Sequence, residues 1–213
     1  MNRINKALEN VGILPVINIK TPEYKNTLLT ALSQTDINCI EVTLRSDYSL
    51  EAIKSIKEDN PDMIVGAGTV MNMQDLEKAL SVGADYIVSP GLDEEIVSYC
   101  IKNNIHVVPG VSTPSEVMLA LKLGCKTVKL FPAELSGGTK LLKLYEGAFA
   151  GTKFLPTGGI TTENAKDYFA CKNVIALGGS FMASEAMLKE NDTDSITSAS
   201  NKLISQYREI RGI

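Results

Sequence analysis

Short β-branched runs alternate along the chain with longer segments whose apolar positions recur every three or four residues. The runs predicted as strands are Ile13–Ile19, Cys39–Leu44, Ile64–Val70, Tyr86–Pro90, His106–Val111, Thr127–Phe131, Phe154–Thr157 and Val174–Leu177. Their starts lie about 20–27 residues apart, enough for a strand and a covering helix, although the units share no sequence repeat. Runs this apolar predict parallel strands packed under helices. The helical segments mark their own ends. Thr113-Pro114-Ser115-Glu116 combines an N-cap hydroxyl, a proline at the first helical position and a capping-box glutamate. Val117, Ala120 and Leu121 then form the apolar face, and Gly124 stands where the helix must stop. Asp93 caps a helix whose Ile96, Val97, Cys100 and Ile101 lie on one side, while Leu76, Ala79 and Leu80 belong to another that ends at Gly83. Terminal helices are predicted over Met1–Asn10 and roughly Thr193–Arg208.

Eight such units suit an α/β architecture: a single (β/α)₈ TIM barrel over residues 1–213 with an extra N-terminal helix. The alternative is a doubly wound open sheet, but no GxGxxG follows the first strand. No linker, charge block or low-complexity run marks a second domain.

Composition narrows the class. With 44% hydrophobic and 22% charged residues, the chain can fill a core without disulfide staples. Its formal net charge is −4 and its charges are interspersed, so nucleic acid and acidic membranes are excluded as main partners. No apolar run approaches the ~18 residues a bilayer span requires. The N-terminus lacks the apolar core of a signal peptide. Cys39, Cys100, Cys125 and Cys171 lie far apart with no CxxC pair, which predicts reduced buried thiols in a cytoplasmic protein.

The C-terminal ends of barrel strands are where chemistry is expected, and here they carry residues that packing would not select. The second strand reads Glu41-Val42-Thr43-Leu44-Arg45, and its period of two puts Glu41, Thr43 and Arg45 on the inner face. In the sixth, Lys129 shares the inner face with Thr127 and Phe131. An interior carboxylate and ammonium are costly unless paired or used. They form either a buried ion pair that fixes strand register or a nucleophilic amine with Glu41 as its acid/base. Arg45 at the strand mouth is either a carboxylate clamp or a surface arginine at a helix start. Gly158-Gly159 and Gly178-Gly179-Ser180 follow the seventh and eighth strands, where backbone N–H groups can hold a phosphate. His106, the sole histidine, begins the fifth strand and reads as structural. Met71 and Met73 read as packing residues, and Glu134 as either a mouth residue or a loop hydrogen-bonding group.

Six motifs in order resemble one family over Gly12 to about Ala183: Glu41-Val42-Thr43-Leu44-Arg45, Val65-Gly66-Ala67-Gly68-Thr69, Ser89-Pro90-Gly91, Lys129-Leu130-Phe131-Pro132-Ala133-Glu134, Pro156-Thr157-Gly158-Gly159 and Gly178-Gly179-Ser180. The family is the bacterial 2-dehydro-3-deoxy-phosphogluconate aldolases, also called 4-hydroxy-2-oxoglutarate aldolases. The resemblance implies a class I aldolase that is a homotrimer of barrels and needs no metal or cofactor. It implies a small phosphorylated 2-keto acid as substrate, in the Entner-Doudoroff route. Lys129 would form the imine and Glu41 would be the acid/base. Arg45 and Thr69 would hold the pyruvyl carboxylate, while Pro90 and Phe131 would shape the pocket. Thr157 would contact the hydroxylated part, and Gly158, Gly159, Gly179 and Ser180 would bind the phosphate. The chain departs from the family at Leu130, where phenylalanine is frequent, and at Phe181, where tryptophan is common. A sugar-phosphate isomerase or epimerase is the alternative, but it has no use for an interior lysine beside Phe131 and Pro132. A silent binding barrel predicts an inert lysine.

Overall fold

The computed structural model describes residues 3–213; Met1 and Asn2, the start of the expected first helix, lie outside the described residues. The elements run α1 (Arg3–Val11), β1 (Ile13–Ile17), α2 (Pro22–Leu32), β2 (Cys39–Thr43), α3 (Ser49–Asp59), β3 (Ile64–Gly68), α4 (Met73–Ser81), β4 (Tyr86–Val88), α5 (Glu94–Lys102), β5 (His106–Val108) and β6 (Gly110–Val111). They continue α6 (Pro114–Lys122), β7 (Thr127–Leu130), α7 (Gly138–Ala148), β8 (Lys153–Phe154), α8 (Ala165–Phe169), β9 (Leu177–Gly179), α9 (Glu185–Lys189) and α10 (Thr193–Arg211).

The caps follow the sequence chemistry. Thr113 and Glu116 form the reciprocal capping box of α6, and Asp93 accepts from the Ile96 N–H at the start of α5. Gly83 and Gly124 both have positive φ just beyond α4 and α6, where a side chain would be strained.

The expected closed eight-stranded barrel does not form. The strands divide into a six-stranded parallel half-barrel sheet, in the order β5-β4-β3-β2-β1-β9, and a three-stranded sheet, β6-β7-β8. The cause lies in three of the runs read as single strands. Pro109, which has no N–H to donate, splits His106–Val111 into β5 and β6. The Phe154–Thr157 run reaches Pro156, and its ladder shrinks to Lys153–Phe154. The last run pairs at Leu177–Gly179 rather than Val174–Leu177. Between β8 and β9 only the isolated bridges Phe154↔Val174 and Thr157↔Gly178 remain.

Alternation along the strands creates two apolar layers. Outward residues such as Ile40, Val42, Val65, Ala67, Val128 and Leu130 pack beneath the helices. Inward residues, including Leu14, Val16, Cys39, Ile64, Tyr86, Val88 and Leu155, form an inner cluster that Ile4, Ala7 and Leu8 of α1 close from below. Each such large apolar side chain contributes roughly 1.5–3 kcal/mol by leaving water. At the opposite end of the strands that inner layer turns polar. No helix among the described residues is long and apolar enough to cross a membrane.

Candidate active site

Strand register brings the two interior charges together. Val16, Glu41 and Gly66 stand side by side across β1, β2 and β3, while Lys129 of β7 pairs with Gly110 of β6. The Lys129 Nζ donates to Glu41 Oε1 at 3.2 Å. Glu41 is 0% exposed and Lys129 only 6%. Glu41 has room because β3 lacks side chains at two inward positions. A Cβ on Gly68 would fall 2.1 Å from Glu41 Oε1, and one on Gly66 would fall 2.2 Å from the Tyr86 ring. The second carboxylate oxygen, Oε2, is buried with no hydrogen-bond partner among the described residues.

Toward the strand mouths lies a cleft of about 340 Å³, whose lining includes neither Lys129 nor Glu41. Arg45, Phe131, Thr157, Gly158, Gly159, Gly179 and Ser180 all line it, so seven of the eleven residues singled out from sequence converge there. Phe131 joins the two levels: its ring centroid lies 5.5 Å from the Lys129 Nζ. Thr157 is buried, and a Cβ on Gly178 would come within 2.4 Å of its hydroxyl oxygen. Gly158 and Gly159 hold φ of 95° and 80°, a backbone that other residues rarely adopt. Arg45 is exposed two residues beyond β2 and well before α3, so it is not a helix-start arginine.

Thr69 and Pro90 stand apart from that cleft's lining, at the ends of β3 and β4. Thr69 is half-buried with φ of 62°, an uncommon conformation for a β-branched residue. Pro90 lies against β6, where a Cβ on Gly110 would be 2.1 Å from its carbonyl oxygen.

The remaining candidates have structural surroundings. Glu134 accepts the Tyr168 hydroxyl, whose pKa is raised by burial and then by that bond. His106 sits at the start of β5, away from the cleft, and burial lowers its pKa to about 4. All four cysteines are free and buried. Burial pushes the Cys39 thiol up to about 12 and those of Cys100 and Cys125 to about 11, which leaves them unreactive. Met73 packs against the core, whereas Met71 is exposed rather than packed.

Sequence reading passed over the mouth of the first strand. Val16 lines the cleft, and Asn18 joins Arg45 and Ser180 in an adjoining cavity of about 210 Å³. Leu14 and Val16 face the interior, so the same alternation could have placed Asn18 there.

Comparison with known proteins identifies the family. The family model described as KDPG and KHG aldolase matches residues 4–199. The KHG/KDPG aldolase of Escherichia coli (strain K12) is 39% identical over 192 residues, 90% of each chain. The 2-dehydro-3-deoxy-phosphogluconate aldolase of Dickeya dadantii (strain 3937) is 39% identical over 193 residues, 91% of each. Among solved structures, a KDPG aldolase from Legionella pneumophila, with pyruvate captured as a covalent carbinolamine, superposes with a TM-score of 0.90 at 33% identity. That match covers 95% of this chain and 98% of the other. A motif order read from the strand mouths, a buried lysine–glutamate pair and near-full-length similarity therefore agree: this chain belongs to the KDPG and KHG aldolase family.

Proposed function

We propose that Lys129 is the imine-forming amine and Glu41 the acid/base of a class I aldolase. The protein is a Schiff-base pyruvate aldolase whose substrate is a phosphorylated 2-keto acid. The reaction is cleavage of 2-dehydro-3-deoxy-6-phosphogluconate to pyruvate and glyceraldehyde 3-phosphate, and of 4-hydroxy-2-oxoglutarate to pyruvate and glyoxylate. The observation that carries the residue roles is the 3.2 Å contact between Lys129 and Glu41, with the second Glu41 oxygen left without a donor.

The chemistry explains why both groups are needed. Breaking C3–C4 leaves an electron pair at C3. Lys129 passes a proton to Glu41 and its amine adds to the C2 carbonyl; Glu41 returns that proton to the carbinolamine hydroxyl, which leaves as water and gives the protonated imine. Glu41 takes the C4 hydroxyl proton, C3–C4 breaks, and its electron pair is drawn into the imine as a neutral enamine. The aldehyde leaves. A proton returned to C3 gives the pyruvate imine, and water releases pyruvate and restores the amine. Glu41 Oε1 lies close enough to Nζ to carry protons to and from it, while the buried Oε2 has no donor among the described residues and is the oxygen left to accept a substrate proton.

Arg45 and Thr69 bind the carboxylate, Arg45 through a two-pronged guanidinium contact. Pro90 and Phe131 shape the walls around C2 and C3. Thr157 contacts the hydroxylated carbons. Gly158, Gly159, Gly179 and Ser180 hold the phosphate by backbone N–H groups and a hydroxyl. The chain works as one domain, a homotrimer in the cytoplasm, without metal or cofactor.

Incubation with pyruvate and borohydride should leave a reduced adduct on Lys129, read by mass spectrometry. Lys129→Met should give neither adduct nor turnover. Full activity in that variant, or an adduct elsewhere, overturns the assignment. Glu41→Gln with normal turnover would remove the acid/base role and leave the imine standing.

A further inference from the structure

We infer that Asn18 is a specificity-determining residue that accepts a hydrogen bond from the substrate hydroxyl next to the phosphate-bearing carbon, C5 of the phosphogluconate. This rests on the reaction proposed above. Asn18 follows Leu14 and Val16 on the inward face, one residue beyond the end of β1. Packing would place an apolar side chain there. Its side-chain oxygen is instead buried without a donor among the described residues. A buried amide oxygen left unpaired is destabilising, so a ligand that supplies a donor is favoured. The cavity that Asn18 lines shares Val16, Arg45 and Ser180 with the phosphate cleft, so the two adjoin.

Elimination identifies the donor. Glu185 also lines the cavity, but its carboxylate is an acceptor already engaged with Lys20 at 2.5 Å. Arg45 and Ser180 can donate. With substrate present their donors turn to its carboxylate and phosphate, because charge-assisted bonds are about twice as strong as neutral ones. Carboxylate and phosphate dianion accept only. The substrate therefore brings two donors, the C4 and C5 hydroxyls, and the C4 proton goes to Glu41. The C5 hydroxyl remains. 4-Hydroxy-2-oxoglutarate carries a carboxylate at that carbon and has nothing to offer Asn18, so the contact selects the longer substrate.

The test compares kcat/KM of the wild type, Asn18→Val and Asn18→Ala on both substrates and on a 5-deoxy phosphogluconate analogue. Removing one neutral hydrogen-bond partner should lower the preference for phosphogluconate over 4-hydroxy-2-oxoglutarate about tenfold in either variant. Deleting the hydroxyl from the substrate should cost the wild type about as much and cost the variants nothing further. A preference that is unchanged, or losses on the two substrates that are equal, overturns the assignment; equal losses mean that Asn18 only supports Arg45. The pyruvate–borohydride adduct is measured in every protein. Its presence in a variant shows that fold and imine chemistry are intact, so an unchanged preference then counts against Asn18 alone. Its absence from the wild type counts against the imine reading.

Discussion

At the scale of single residues, the site depends as much on side chains that are missing as on those present. Gly68 leaves the space that Glu41 fills, and the obstruction a methyl group would meet is the carboxylate itself, at 2.1 Å. Gly68→Ala should therefore displace Glu41 by about an ångström and lower kcat about a hundredfold, since reacting groups misplaced by that much lose roughly that factor. Steady-state kinetics with a circular-dichroism check of folding measures it; kcat within threefold of wild type would disprove the close fit. Thr69 makes the complementary case, a residue kept against its backbone preference. Its φ of 62° is costly for a β-branched side chain, whereas asparagine tolerates that region. Thr69→Asn should raise stability by about 1 kcal/mol in urea melts. It should also raise KM for the keto acid if Thr69 binds the carboxylate as proposed. A variant that is both less stable and equally active would show that no strain is held there.

At the scale of elements, helix ends were legible and strand ends were not. A cap is a local exchange of hydrogen bonds, so four consecutive residues at Thr113–Glu116 suffice to specify it, and the capping box forms as read. Thr113→Ala should cost about 1 kcal/mol of stability, with kcat unchanged, in paired melting and rate measurements. No loss of stability would mean that the α6 cap is replaced by water. Strand pairing is non-local. Whether Phe154–Thr157 continues a ladder depends on what lies beside it, and the sequence does not display its neighbour. Pro109 and Pro156 were visible, yet both were read as strand residues rather than as breaks in the hydrogen-bond ladder. That error produced the expectation of a closed eight-stranded barrel. The interior was easier, because period two needs only the strand's own residues. It turns Glu41 and Lys129 inward, and the same alternation from Leu14 and Val16 turns Asn18 inward at the mouth of the first strand.

At the scale of the whole molecule, the two ends of the strands do different work, and pH can separate them. The lysine–glutamate pair and its cleft lie toward one end, whereas the only histidine, His106, lies at the other, with its ring 6.4 Å from that of Tyr86. Burial holds the folded His106 pKa at about 4, below its ordinary 6.5, so the folded state resists the proton that the unfolded chain accepts. Above pH 6.5 both states are neutral and the group's stabilising contribution is fully present. As pH falls from 6.5 to about 4 the unfolded chain binds more protons and that contribution is lost; below the folded pKa the loss levels off. Allowing for partial exposure, the loss amounts to roughly 2 kcal/mol. Carboxylates also titrate near the lower limit, so the informative quantity is a difference between proteins. Urea melts at pH 7 and pH 4.5 should show His106→Gln losing less stability than the wild type by about that amount. Equal losses would mean that His106 titrates normally and that its surroundings do not exclude the charge. The rate of aldol cleavage between pH 6 and 8 should be the same in both proteins, because the imidazole lies at the end of the strands opposite the Lys129–Glu41 pair.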